Sequence, residues 1–105
     1  MILNGVNLDE TALADLCSRH RLAELHVFGS ILRDDFRSDS DVDFIIRVRE
    51  GERMTFSERL DIMDELTNLT GRRVDLVLDS ELNSPRANPI RRRHIRDTMV
   101  RIHAA

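Results

Sequence analysis

The sequence contains no lysine, tryptophan or tyrosine, one cysteine, two prolines and no long apolar run. Without lysine there is no Schiff-base chemistry, and the P-loop, whose lysine reaches nucleotide phosphates, is excluded. All sixteen basic residues are arginines, which can still clamp phosphate through a planar fork. Base-stacking platforms are scarce without tryptophan or tyrosine, and the net charge of -3 gives no nucleic-acid signal. The lone Cys17 lies in the apolar register of a predicted helix and reads as a reduced core thiol. No stretch approaches the eighteen apolar residues of a membrane span, and Met1-Ile2-Leu3-Asn4 lacks the basic flank of a signal peptide. The expectation is a soluble cytoplasmic protein, one domain over residues 1–105 that needs no disulfide or metal to fold.

What is present centres on residues 28–44. A Gly29-Ser30 pair is followed, after a ten-residue gap, by Asp41-Val42-Asp43. That spacing should arise by chance in roughly one domain in a thousand of this length, so it asks for a reason.

Periodicity and capping signals place it. Asn7-Leu8-Asp9-Glu10 reads as a capping box opening a helix over 8–21, with Leu13, Leu16 and Cys17 as its apolar face. Leu25-His26-Val27-Phe28 reads as a strand ending at Gly29-Ser30. Ile31 to Phe36 reads as a helical turn that Ser30 caps, with free backbone N–H groups facing whatever lies over the glycine. Asp41 to Arg49 reads as a strand with Asp41 and Asp43 on one face and Val42 and Phe44 on the other.

Thr55-Phe56-Ser57-Glu58 is a second capping box, opening a helix whose apolar set includes Phe56, Leu60, Met63, Ile62, Leu66 and Leu69, and Gly71 is its stop. Residues 72–78 read as a third strand, with Val74, Leu76 and Leu78 on one face and Asp75 on the other. Residues 79–87 read as a loop, and Asn88-Pro89 opens a last helix with Ile95, Met99 and Ile102 as its stripe.

Three acids stand out: Asp41, Asp43 and Asp75. Alternate positions on a strand are about 6–7 Å apart at Cα, and an acid from a neighbouring strand can converge on such a pair. Carboxylates crowded in this way call for a cation, and Mg²⁺, which takes oxygen ligands and leaves room for phosphates, suits them best. Beside a phosphate-holding turn, these are the parts of phosphoryl or nucleotidyl transfer.

These residues resemble the signature of the DNA polymerase β-like nucleotidyltransferase superfamily, and in particular its minimal members. The resemblance runs through Val27-Phe28-Gly29-Ser30 with Arg33, Asp39-Ser40-Asp41-Val42-Asp43-Phe44, Arg73-Val74-Asp75-Leu76-Val77, Pro85 and a basic final helix. It implies an α+β fold, a small mixed sheet of three to four strands with helices packed on it. It implies that Gly29 and Ser30 hold the triphosphate of ATP with Arg33, that Asp41 and Asp43 bind Mg²⁺, and that Asp75 completes the metal site and helps deprotonate the acceptor. Ser40, just before the paired acids, is a further nucleotide-binding candidate. Leu32, Asp34 and Ser38 depart from the small residues and proline common at those positions, which bears on the shape of the nucleotide pocket.

Short members of the family resemble antitoxins that transfer AMP to a tyrosine of a HEPN-type ribonuclease toxin. That is the function the resemblance implies, with the toxin as partner in a hetero-oligomer. The alternatives are an antitoxin that neutralises its toxin by occlusion alone, or transfer to a small molecule or RNA end. The latter relatives generally carry a second domain for the acceptor, which 105 residues do not accommodate. The cluster Arg91-Arg92-Arg93-His94 with Arg96 reads first as a solvated helix face, and otherwise as a contact for an acidic partner or phosphate. His20, His26, His94 and His103 have no metal-ligand spacing and read as structural or surface residues.

Overall fold

The computed structural model describes residues 1–104. The chain opens with a hairpin of β1 (Ile2–Leu3) and β2 (Val6–Asn7), then runs through α1 (Glu10–Arg19), β3 (Leu22–Phe28) and a 3₁₀ turn (Gly29–Leu32). There follow β4 (Val42–Val48), α2 (Phe56–Thr70), β5 (Val74–Leu78), α3 (Asp79–Leu82), α4 (Pro89–Thr98) and β6 (Val100–Ala104). The main sheet has the order β5-β4-β3-β6, with β4 and β5 parallel and the other pairs antiparallel. This is a mixed α+β sheet with helices packed on it, within the three to four strands expected from the sequence.

Strand alternation sorts the core into two layers. On one side, Leu25 and Val27 of β3, Val42, Phe44 and Ile46 of β4 and Leu76 of β5 pack against Leu13, Leu16 and Cys17 of α1 and Ile62 and Leu66 of α2. On the other side, Phe28 and Ile45 meet Leu82 of α3 and Ile95 of α4. Because β4 is buried on both faces, its continuous run Phe44-Ile45-Ile46 is the pattern of a central strand. Cys17 is buried and free, and burial pushes its thiol up to about 11, with Arg49 opposing. No helix among the described residues is long and apolar enough to cross a membrane.

Several boundaries differ from the sequence expectations. The first helix is capped by Asp9, whose carboxylate accepts from the Ala12 N–H at 3.1 Å, because Asn7 is already committed to the hairpin. The strand expected at 25–28 begins at Leu22. The segment 79–87 is not all loop, since Asp79–Leu82 forms a helical turn in which the Glu81 carboxylate accepts from the Leu78 N–H at 2.8 Å. The last helix ends at Thr98, and Val100–Ala104 turns back to pair antiparallel with β3, so Ile102 belongs to a strand. On α2 only Ile62 and Leu66 are buried, whereas Phe56, Leu60 and Leu69 are exposed and not core. The expected cap at Thr55, the left-handed stop at Gly71 and the Asn88-Pro89 start are all present.

Candidate active site

β3 delivers Gly29 and Ser30 to its end, and β4 starts alongside, with Phe28 and Asp43 as register partners. Gly29 has φ +74, the left-handed region, and a Cβ built on it would stand 2.5 Å from Asp43 Oδ2. Only glycine lets the chain turn here while a carboxylate presses against its α-carbon. Ser30 does not cap the turn. Its Oγ instead donates to the Asp41 carbonyl at 3.2 Å, tying the turn to the start of β4, and the turn begins after Phe28 without a side-chain cap.

The loop between them is laced from two sides. Asn4 Nδ2 donates to the carbonyls of Ile31 at 3.3 Å and Arg33 at 2.7 Å. Arg72 donates to the carbonyls of Arg37 at 2.8 Å and Ser40 at 3.4 Å and lies 4.7 Å over the Phe36 ring, a cation–π contact. Arg73 donates to the Asp39 carbonyl at 3.3 Å and pairs through Nε with Asp41 Oδ1 at 3.2 Å. Ser40 Oγ accepts from the Arg37 N–H at 3.0 Å, closing a turn just before the acids.

These elements surround a cleft of about 940 Å³ lined by Gly29, Ser30, Arg33, Ser40, Asp41 and Asp43. The sequence candidates are thus gathered in one place, except Asp75. Asp75 is the register partner of Asp43 across β4 and β5, yet it is exposed and opens into a neighbouring cleft of about 360 Å³. Arg33 is exposed at the cleft and paired with Asp35 at 3.2 Å. Arg73, Arg91, His94 and Thr98 also line the larger cleft and were not among the sequence candidates. The basic run Arg91-Arg92-Arg93-His94 was a visible signal, but the sequence alone does not say which of its residues turn inward.

Asp43 is half-buried, and its carboxyl is held above the usual range first by burial and then by the charges of Asp75 and Asp41. A backbone hydrogen bond from Ser30 and the Arg33 charge oppose that rise. Among the described residues no group of three carboxylate, histidine or cysteine side chains, Asp41, Asp43 and Asp75 included, is placed to hold a metal ion. Mg²⁺ does not need three, because it is commonly held by one or two carboxylates together with water and substrate phosphates. The all-oxygen donor set of Asp41 and Asp43, the carboxylate repulsion at Asp43 and the cleft they line fit such an ion beside a triphosphate.

A family model described as a nucleotidyltransferase domain matches residues 10–102. The chain belongs to the nucleotidyltransferase domain family. The protein adenylyltransferase MntA of Thermococcus cleftensis is 35% identical over 78 residues, 74% of this chain and 77% of that one. A solved structure described as a minimal nucleotidyltransferase is 30% identical, with a TM-score of 0.66 over 87% of this chain and 86% of that one. A second similar structure is that of the tri-AMPylated HEPN toxin of Shewanella oneidensis in complex with MNT antitoxin. It shares the fold, with a TM-score of 0.60 and 16% identity over 91% of this chain and 70% of that one. The superfamily, the fold and the nucleotidyltransferase class read from the sequence therefore stand.

Proposed function

We propose that this nucleotidyltransferase transfers AMP from ATP to a tyrosine hydroxyl of a HEPN-type toxin and acts as its antitoxin, working as one domain in the cytoplasm. The observation that carries the reading is that Asp41 and Asp43 line one open cleft with Gly29 and Ser30, the Gly29 backbone lying close against the Asp43 carboxylate. The adenylyltransferase relative and the antitoxin complex of the same fold support it.

In this reading Gly29, Ser30 and Arg33 bind the triphosphate, with the backbone N–H groups of the turn and the Arg33 guanidinium meeting phosphate oxygens. Asp41 and Asp43 would hold Mg²⁺, which when bound supplies charge stabilisation at the phosphates. The acceptor oxygen forms a bond to the α-phosphorus as the bond to the bridging oxygen breaks. Pyrophosphate leaves with that electron pair. Asp75, across the register from Asp43, accepts the hydroxyl proton.

Incubation with radiolabelled ATP, Mg²⁺ and the partner toxin tests this. Label should appear on the toxin and vanish with Asp41→Ala combined with Asp43→Ala. An unlabelled toxin that is neutralised equally well by wild type and variant would instead establish inhibition by occlusion.

A further inference from the structure

The cleft that Asp75 lines has a charge pattern of its own. Around the carboxylate stand Arg59, Arg86, Arg91 and Arg92, with Glu81. Arg59 is occupied, donating to the Leu76 carbonyl at 2.6 Å and to Glu81 Oε1 at 2.9 Å. The other three arginines form no ion pair among the described residues, and Arg92 makes only a 3.4 Å contact to the Leu82 carbonyl. Once Arg59 and Glu81 cancel, one carboxylate faces three unpaired guanidiniums in a chain of net charge -3. None of the three neutralises Asp75, whose Oδ1 accepts from the Leu76 N–H at 3.0 Å. Phe28, Arg91 and Ile95 line both clefts, so the nucleotide side and the Asp75 side share a wall.

We infer that this second cleft receives the acceptor and selects one that carries an anionic group next to its reacting hydroxyl. Asp75 meets the hydroxyl, and Arg86 and Arg92 meet the anion through charge-assisted hydrogen bonds. The anion has two sources of the same chemistry: an acidic side chain beside the acceptor residue, or the phosphodiester of an AMP installed in a previous turnover. In the second case the new bond joins a ribose hydroxyl oxygen to the next α-phosphorus. Pyrophosphate leaves and the proton passes to Asp75, as in the first turnover. The inference rests on the adenylyl-transfer reading above.

The test compares wild type with Arg86→Gln, Arg92→Gln and the double variant. Each is mixed with ATP, Mg²⁺ and the toxin, and three readouts are followed: ATP affinity, initial rate against toxin concentration, and AMP groups per toxin by intact mass. The expected result is unchanged ATP affinity with about a tenfold loss per arginine removed in the rate of the addition that uses the anion, the first or the later ones. Loss from the first AMP onward identifies an acidic residue of the toxin as the anion. A normal first addition followed by loss of later ones identifies the phosphodiester. Arg86, on an exposed loop with no side-chain partner, keeps the comparison decisive should Arg92→Gln disturb packing. Wild-type rates and additions in all three variants overturn the inference and leave adenylyl transfer standing. A wild-type protein that transfers nothing overturns both.

Discussion

Gly29 and Asp43 fit together without room for a methyl group: a Cβ on the glycine would lie 2.5 Å from the carboxylate oxygen Oδ2. Gly29 also occupies φ +74, so Gly29→Ala meets two penalties. The left-handed backbone costs about 1–2 kcal/mol, and relief of the collision moves Asp43 off its position. The denaturant midpoint should fall accordingly, and the transfer rate should drop on the order of a hundredfold, the scale of a 1 Å misplacement. Near wild-type transfer by Gly29→Ala would mean that the close approach is not used.

Asp43 carries its charge at a cost in stability. Burial, Asp75 and Asp41 raise its carboxyl above the ordinary value near 3.8, so the folded state binds a proton more readily than the unfolded chain. For such a group stability is greatest at low pH and declines as pH rises from the unfolded value through the raised folded one. Asp43→Asn removes that decline. At pH 7, without metal or nucleotide, its melting temperature should exceed wild type by roughly 2–5 °C while transfer is abolished. A lower melting temperature would show that the carboxylate is stabilised where it stands.

The hairpin at the amino terminus supports the site from outside. Asn4 and Gly5 both have positive φ, at 49 and 83, and Leu3 pairs with Val6 across them, so the two residues make the type I′ turn that Asn-Gly favours. From that turn the Asn4 amide holds the Ile31 and Arg33 carbonyls. Asn4→Gly keeps the turn and removes the amide. It should raise the KM for ATP severalfold with about 1 kcal/mol lost in stability, as measured by initial rates and urea melts.

His26 gives a pH dependence of opposite sign. It is buried on β3, and burial lowers its pKa below the ordinary 6.5, with Glu24 the main opposing charge. A histidine depressed in the fold contributes its full stability above pH 6.5 and loses it as pH falls toward the folded value. Urea midpoints should therefore drop between pH 7.5 and 5.5, and His26→Leu should flatten that part of the profile. An equally steep fall in His26→Leu would assign the effect to other groups.

The parts of the fold legible in the sequence were those fixed by local chemistry. Thr55 with Glu58, Gly71 and Asn88-Pro89 punctuate helices through capping and backbone conformation, which short segments specify alone. The spacing of Gly29-Ser30 to Asp41 and Asp43 was legible because one strand end and the next strand start must meet. The ambiguous parts lay where two periods fit. Ile95, Met99 and Ile102 suit a helix, while Val100, Ile102 and Arg101, His103 alternate as a strand, and pairing with β3 decides for the strand. Leu60 sits at a helical interval from Phe56, yet burial on α2 is settled by where the sheet lies, which reaches only Ile62 and Leu66. The separation of Asp75 into its own cleft depends on α4 packing over Phe28 and Ile45, a relation that no local pattern carries.

The central claim is that Asp41 and Asp43, close against the backbone of Gly29, direct an adenylyl group onto a partner protein. Intact mass spectrometry of the toxin after incubation with ATP and Mg²⁺ tests it most directly. The account predicts mass increases in whole AMP units with wild type, and none with Asp41→Asn combined with Asp43→Asn. An unmodified toxin with active wild-type protein, or equal modification by the double variant, would contradict it.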